Sequence, residues 1–274
     1  MDKLRTEALK VNVSLACFPG LRHEVAAKVA HEGVMSGSLF EPGVGRLVCE
    51  HVQLVPQNMG CLTEDTALGL KELYPSTRFR LHANVRVLRQ HVLADLSNFD
   101  DYGEWFAHAA RVNTLLGSHG YSAHSGRRRE ATMGQVLENT RRAADLFGCP
   151  VSIEGQYPSH NDDYLVSSWE EYRQVLDSGV PFALDLSHLN IVAHRSRRRE
   201  DSLVREMLAS SACLEVHVSD NDGRGDQHRT CEQMPWWSAL LESINPDAVI
   251  FSEGNHRFRI DPHRKDTSQE PSVN

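Results

Sequence analysis

The chain has 274 residues, a net charge of −8 and 40% hydrophobic residues. This length fits one large domain, because a (β/α)8 barrel needs about 250 residues. The acidic balance argues against a protein that binds nucleic acid through a broadly basic surface. There is no run of about 18 apolar residues, so no membrane span is expected. The opening segment MDKLRTEALK lacks the apolar core of a signal peptide, and we therefore expect a cytoplasmic protein.

The six cysteines are scattered along the chain and form no CxxC motif. This spacing predicts buried thiols and argues against a disulfide framework. Cys231 follows the segment DQH, and for this residue a metal ligand or a reactive thiol is the less favoured alternative to a buried thiol.

Eight apolar runs of strand length recur along the chain, and helix-like stretches separate most of them. The predicted strands are Val11–Cys17, His51–Pro56, Arg78–His82, Gly120–His124, Pro150–Glu154, Pro181–Asp185, Cys213–Val218 and Ala248–Glu253. The predicted helices are Thr63–Leu73, Tyr102–Leu116, Met133–Phe147, Ser168–Ser178, Asp201–Ser210 and Trp236–Ser243. Because strands joined by single helices pair in parallel, eight such units predict an α/β fold closed into a (β/α)8 TIM barrel.

The domain organisation predicted from the sequence is simple. Residues 1–257 are expected to form a single barrel domain, and residues 258–274 a polar C-terminal tail. The Gly-rich segment Met35–Arg46 is predicted to be a loop. No internal repeat interrupts this pattern.

Six consecutive predicted strands end on a residue type that binds metals, and three more candidates follow closely. The nine candidate ligands are His82, His124, Glu154, Asp185, His188, His217, Asp226, His228 and Glu253. In a (β/α)8 barrel the functional residues lie at the C-terminal ends of the strands and in the loops that follow. The pattern therefore predicts that all nine side chains meet at one mouth of the barrel.

The number of candidate ligands indicates more than one metal ion. A single zinc or iron ion takes about four to six ligands, some of them water. Nine side chains predict two or three divalent ions, with Glu154 and Glu253 as the bridging carboxylates. Imidazole and carboxylate together suit iron, zinc or manganese, so the residue types do not select one metal. Glu154, Glu253 and His188 are the candidate catalytic residues.

Two arginine clusters follow candidate ligands on the same predicted face. The predicted substrate-binding residues are Arg127, Arg128, Arg129, Arg195 and Arg197. Guanidinium groups bind phosphate or carboxylate, so the clusters predict a small anionic substrate or a peptide. A solvated helix start explains the same residues equally well.

The ligand order His, His, Glu, Asp-x-x-His, His, Asp-x-His, Glu resembles that of the xylose isomerase-like TIM-barrel superfamily, above all its members with two or three metals. The resemblance covers the chain from about Val11 to Glu253. Endonuclease IV-type enzymes are one such branch, and the segments DLSH and DQH are similar to their ligand pairs. The chain lacks the Pro-Tyr DNA-probing segment of that family after His82, so DNA is not expected as its substrate.

Two further branches compete. Sugar isomerases and epimerases use a Glu, Asp, His, Glu set on one metal, which matches Glu154, Asp185, His217 and Glu253. Multinuclear non-haem iron oxidative enzymes are the third branch, and the segments around His82 and from Glu154 to Asn190 resemble theirs. This third resemblance is ranked first, and it implies iron- and O₂-dependent oxidation of a small anionic molecule or a peptide. A partner protein that delivers the substrate is part of this expectation.

Overall fold

The computed structural model of the chain describes residues 9–159 and 161–257. The predicted tail over residues 258–274 lies outside the described residues, as do residues 1–8. Among the helices that the structure describes, none has the length and apolar character needed to cross a bilayer.

The strands and helices alternate along the chain. The strands are β1 (Val11–Ser14), β2 (Phe40–Glu41), β3 (Gly45–Leu54), β4 (Arg78–Leu81), β5 (Tyr121–His124), β6 (Val151–Glu154), β7 (Phe182–Asp185), β8 (Cys213–Val218) and β9 (Val249–Ser252). The α-helices are α1 (His23–Ser36), α2 (Glu64–Leu73), α3 (Gly103–Leu116), α4 (Met133–Phe147), α5 (Trp169–Ser178), α6 (Leu186–Ser196) and α7 (Asp201–Ala209). Short 3₁₀ helices cover Leu15–Cys17, Leu96–Asn98 and Ser238–Ser243.

Eight of these strands close into a barrel. Strands β3 to β9 pair with their sequence neighbours in parallel, and β1 closes the ring by pairing in parallel with both β9 and β3. Strand β2 is the exception, because it pairs antiparallel with the start of β3. The single-domain (β/α)8 barrel predicted from the sequence is therefore confirmed.

Side chains along each barrel strand point alternately to the surrounding helices and to the barrel interior. Strand β4 shows the pattern: Phe79 and Leu81 face the helices, whereas Arg80 and His82 face the barrel interior, where they contact Glu215 and Glu154. Each apolar side chain buried under the helices contributes about 1.5–3 kcal/mol to folding. The outer layer thus supplies the stability, and the inner layer is free to carry polar groups.

The structure differs from the prediction in the first third of the chain. Helix α1 was not predicted, because its buried face consists of Ala26, Ala27, Ala30 and Gly33 and carries little hydrophobic signal. The loop predicted over Met35–Arg46 is wrong in part: Met35 and Ser36 end α1, and a short antiparallel ribbon of β2 and β3 follows.

Other element boundaries also differ. Helix α6 was missed because it begins directly after β7, with no loop to separate the two patterns. The helix predicted over Trp236–Ser243 is a 3₁₀ helix that starts at Ser238. Strand β1 ends at Ser14, where the side chain accepts a hydrogen bond from the Ala16 amide and turns the chain. Strand β3 begins at Gly45, earlier than predicted.

Gly126, two residues after the end of β5, is the tightest glycine position at the barrel mouth. Its φ is +89°, and a Cβ atom there would lie 1.9 Å from Ser97 Oγ. We expect Gly126→Ala to lower the free energy of unfolding by roughly 1–3 kcal/mol from backbone strain, with a further loss from the contact. Urea unfolding measures this. Gly134→Ala is the control: that position in α4 has open space around it, and no loss is expected. Equal midpoints for the Gly126 variant and the wild type would contradict the prediction.

Candidate metal centre

All nine predicted ligands meet at the C-terminal mouth of the barrel. Three groups have ligand atoms that all lie within 4.8 Å of one another. These groups are His82, His124 and Glu154; His82, His217 and Glu253; and Glu154, Asp185 and His188. Because the groups share members, they form one connected cluster.

The remaining two ligands extend this cluster on the side of β8. His228 Nε2 lies 2.7 Å from Asp226 Oδ2, and His188 Nε2 lies 3.6 Å from the same oxygen. His228 Nδ1 lies 3.6 Å from Glu253 Oε2. Asp226 thus contacts both His188 and His228, and these contacts connect the two residues to the groups that contain His188 and Glu253.

Glu154 and Glu253 occupy the centre of the cluster. Glu154 Oε2 lies 2.9 Å from His82 Nε2, and Oε1 lies 3.5 Å from His217 Nδ1. Glu253 Oε1 lies 3.8 Å from His82 Nε2 and 3.7 Å from His217 Nδ1. Both carboxylates are almost fully buried. Each therefore has the position that a bridging ligand needs.

The outer nitrogens of the histidine rings fix how the rings face the cluster. The Nδ1–H groups of His82, His188 and His228 donate to the backbone carbonyls of Ala83, Gly155 and Glu253 at 3.2, 2.9 and 3.3 Å. A carbonyl oxygen can only accept, so Nδ1 carries a proton in each of these rings and Nε2 is the nitrogen that faces the carboxylates. Such outer hydrogen bonds orient and tune histidines that ligate metals.

Two further observations fit a metal site. Glu154 Oε2 and His217 Nδ1 are buried and make no well-aligned hydrogen bond within the described residues, although Oε2 lies 2.9 Å from His82 Nε2 and Nδ1 lies 3.5 Å from Glu154 Oε1. Buried polar groups without partners are costly unless something else satisfies them. Carboxylate and imidazole donors suit divalent cations. The residues at the mouth therefore fit divalent metal ions.

In the metal-free chain, protons on histidine rings compensate the charge of the buried carboxylates. Burial disfavours the charged rings of His188 and His228, but the carboxylates of Asp185 and Asp226 outweigh it and raise the pKa of each ring from 6.5 to about 10. Burial likewise disfavours the charged form of Glu154, yet the rings of His82 and His217 hold its pKa well below 4.5. Divalent ions must therefore displace protons from this cluster.

A cavity of about 370 Å³ opens over the cluster. Eight of the nine ligands line it, and His217 is fully buried beneath them. The walls are Pro56, Gln57, Asn84, Arg86, His91, Leu93, Asp95, Arg127, Gln156, Tyr157 and Tyr164. These wall residues come from the loops after β3, β4, β5 and β6, so the space for a substrate lies on that side of the mouth. The volume lies in the range of pockets for small molecules.

The predicted substrate-binding arginines lie in different places. Arg127 lines the cavity, pairs with Asp163 at 2.7 Å and lies over the ring of Tyr164. Arg128 pairs with Glu171 on the surface. Arg129, Arg195 and Arg197 are exposed and are not among the residues that line the cavity.

Several wall residues were not singled out from the sequence. Arg86 belongs to the long loop after β4 and carried no recognisable pattern. Asp95 ends that loop, lies 3.6 Å from His124 Nδ1 and accepts a hydrogen bond from Asn84 at 2.8 Å. Tyr157 packs on the ring of His188, with ring centroids 4.8 Å apart. Cys231 is buried and does not line the cavity, which agrees with the favoured reading of a buried thiol.

Solved structures show the same fold. A D-tagatose 3-epimerase-like protein is 16% identical, with a TM-score of 0.62 and 92% of each chain covered. An AP endonuclease of family 2 from Brucella melitensis is 15% identical, with a TM-score of 0.62, 94% of this chain and 100% of that chain covered. The IOLI protein with a bound zinc atom is 10% identical, with a TM-score of 0.59 and 92% of each chain covered.

These identities establish similarity of fold alone. The predicted resemblance to xylose isomerase-like barrels is confirmed at that level, and the similar proteins include epimerases, an AP endonuclease and a xylose isomerase domain protein. The predicted preference for oxidation at iron gains no support from them. No family model matches the sequence, and no curated protein matches it.

The raised pKa values of His188 and His228 predict how the metal-free chain responds to pH. Their folded pKa of about 10 exceeds the unfolded value of 6.5, so their stabilising contribution is complete below pH 6.5 and is lost as pH rises towards 10. Each ring changes the free energy of unfolding by up to about 1.4 kcal/mol per pH unit in that window. We expect the Tm of metal-free protein to fall between pH 6.5 and 9. Asp226→Asn removes a carboxylate that raises both pKa values and should flatten the fall. A Tm that rises with pH over this window would contradict the prediction.

Proposed function

We propose that this chain is a metal-dependent hydrolase that holds two or three divalent ions at the barrel mouth and cleaves a phosphoester bond in a small anionic substrate. The observation that carries the proposal is the convergence of nine carboxylate and imidazole side chains into one connected cluster. A one-metal isomerase needs four of them and leaves five buried or half-buried ligands without a role.

Each part of the site has a role in this proposal. Divalent ions held here would supply positive charge to the phosphoryl group. Glu154 and Glu253 would be central ligands of these ions, because each contacts several histidines of the cluster. Arg127 binds non-reacting oxygens of the phosphate, since its guanidinium lines the cavity and is held by Asp163. His188 lies between Asp185 and Asp226, where it ligates or passes a proton.

The cavity argues for a small substrate and against duplex DNA. Its walls include the aromatic rings of Tyr157 and Tyr164 and the side chain of Leu93, which suit a sugar or another compact group. The net charge of −8 gives no broad electrostatic attraction for a nucleic acid. The exposed arginines outside the cavity are held in local ion pairs in several cases, as Arg128 is by Glu171.

Sugar isomerisation or epimerisation is the second candidate. It is favoured by the two carboxylates Glu154 and Glu253, which both face His82 and His217, because a pair of such groups can move a proton between two faces of a sugar. The epimerases among the solved structures have the same fold. O₂-dependent oxidation at iron remains the third possibility, supported by the sequence resemblance alone.

Metal analysis and three assays separate these functions. The chain is purified without oxygen, its metal content is measured, and it is then loaded with zinc, manganese or Fe(II). Each form is assayed with bis(p-nitrophenyl) phosphate and a phosphorylated sugar, with a ketohexose, and for O₂ uptake. We expect at least two metal ions per chain and phosphoester cleavage that does not need O₂. Less than one metal ion per chain in active protein would reject the proposal, and turnover of the ketohexose alone would favour the second candidate.

Replacement of a bridging ligand tests the metal centre directly. We expect Glu154→Gln to lose at least one metal ion per chain and to reduce hydrolysis at least about 100-fold, because outer residues alone already contribute 10–100-fold at metal sites. Glu138→Gln is the control, since Glu138 lies exposed on α4 with only an i,i+3 ion pair to Arg141. Full metal content in the Glu154 variant would contradict its role as a ligand.

Removal of one arginine tests how the substrate is bound. We expect Arg127→Met to raise KM about tenfold with a smaller effect on kcat, because it removes a charged contact to a non-reacting part of the substrate. Arg197→Met, outside the residues that line the cavity, should leave both constants unchanged. Steady-state kinetics on the hydrolysed phosphoester measures the two variants. Equal effects in both variants would mean that Arg127 acts only through the overall charge.

A further inference from the structure

A buried ion pair lies in the barrel interior directly below the metal ligands. Arg80 Nη1 lies 2.8 Å from Glu215 Oε1, and the two side chains are 12% and 1% exposed. Barrel interiors of this fold are usually filled by branched apolar side chains, and burying a charge pair there is costly. Neither residue lines the cavity or belongs to the ligand groups. The pair therefore calls for an explanation other than direct ligation or substrate binding.

The second oxygen of Glu215 points at a ligand. Glu215 Oε2 lies 3.2 Å from His217 Nε2, on the side of the ring that faces away from the cluster. The opposite nitrogen, His217 Nδ1, lies 3.5 Å from Glu154 and 3.7 Å from Glu253. The other four ligand histidines turn Nε2 towards these carboxylates and Asp226. Among the five histidines of the cluster, His217 is therefore the one that turns Nε2 away from the cluster carboxylates.

Gln53 competes with Glu215 for the same ring nitrogen. Gln53 Nε2 lies 3.0 Å from His217 Nε2, and 3.4 Å from Glu215 Oε2. The Gln53 amide nitrogen can only donate, whereas the Glu215 carboxylate can only accept. If Gln53 donates to the ring, the ring proton must lie on Nδ1, and Nδ1 cannot ligate. If Glu215 accepts from the ring, the proton lies on Nε2, and Nδ1 has a free lone pair.

We propose that Glu215, fixed by Arg80, is the positioning residue that selects the ligating tautomer of His217 against the competing donor Gln53. Glu215 Oε2 can accept hydrogen bonds from both the His217 Nε2–H and the Gln53 amide, because both nitrogens lie within hydrogen-bond distance of it. Gln53 is thereby satisfied without donating to the ring. Charge-assisted hydrogen bonds of this kind are about twice as strong as neutral ones, which favours the tautomer that Glu215 needs. This inference rests on the proposed function, because it assumes a metal centre.

The orientation of the pair explains why a carboxylate is required. Arg80 binds Oε1, so an amide at position 215 would turn its own oxygen towards the guanidinium. Its NH₂ group would then face His217 Nε2 and donate to it, as Gln53 does. Glu215→Gln therefore keeps the shape of the side chain and reverses the hydrogen bond. Arg80→Met in the same chain removes this constraint and lets the amide oxygen turn back towards His217.

Zinc affinity of the full chain, measured by competition with a chromogenic chelator, tests the proposal without an activity assay. We expect Glu215→Gln to bind zinc about 10–100-fold more weakly than the wild type, the range typical of outer residues at metal sites. The double variant Arg80→Met/Glu215→Gln should regain part of that affinity. If the ion pair is purely structural, the double variant lacks both partners and should bind zinc no better than Glu215→Gln. Glu171→Gln breaks the pair with Arg128, which lies outside the ligand groups and the cavity walls, and should leave the affinity unchanged.

A spectroscopic measurement on the wild type keeps the proposal testable even if the variants fold poorly. Long-range ¹H–¹⁵N spectra of the zinc-loaded chain are expected to show His217 protonated at Nε2 and bound to zinc through Nδ1. A proton on Nδ1, or a Glu215→Gln affinity within about twofold of the wild type, would overturn the proposal. A wild type that binds zinc through Nδ1 but cleaves no phosphoester would reject the proposed function and uphold this inference. A wild type that binds no metal would overturn both.

Discussion

The compensation of buried negative charge at the barrel mouth is the constraint on which the rest of this site depends. Glu154, Asp185 and Glu253 are almost fully buried, and Asp226 is largely so. Carboxylates this close to one another repel unless cations lie between them. Five imidazole rings surround them, and in the metal-free chain the carboxylates raise the pKa of the His82, His188, His217 and His228 rings, which therefore hold protons. Divalent ions supply the same compensation more compactly, which is why the site fits a metal centre and why metal and protons compete there.

The fold places the ligands through backbone features that also stabilise it. Asp185 caps helix α6, because its Oδ1 accepts hydrogen bonds from the Ser187 and His188 amides at 2.7 and 3.1 Å. Its other oxygen, Oδ2, lies 3.3 Å from His188 Nε2. One carboxylate thus starts the helix and orients two ligands. Because α6 begins directly after β7, with no loop between them, Asp185 and His188 lie close enough to share a site.

The ribbon of β2 and β3 supports the opposite side of the mouth. Glu41 is fully buried and accepts hydrogen bonds from the Cys231 amide at 2.7 Å, from His256 Nε2 at 3.0 Å and from the Ser252 hydroxyl. Ser252 precedes Glu253, and Cys231 follows the segment that carries His228. Glu41 therefore ties together the two chain segments that hold these ligands. The antiparallel ribbon is an addition to the simple (β/α)8 barrel, and through Glu41 it supports these two segments.

The sequence by itself determined the barrel, and it predicted that nine candidate ligands meet at one mouth. Parallel strands have all their C-terminal ends on one side, so a ligand type at each end of strands β4 to β9 fixes the location of the site without any knowledge of packing. Period two along a strand also places Glu215 on the same face as His217, and Arg80 on the same face as His82. The walls of the cavity, by contrast, were decided by tertiary structure. Arg86 and Tyr157 come from loops whose paths depend on packing. Arg127 lies in the loop after β5 and lines the cavity, whereas Arg195 lies in the last turn of α6 and is exposed. The short-range pattern of a sequence records which face of a strand a residue occupies, whereas contacts between loops arise only after the barrel has closed.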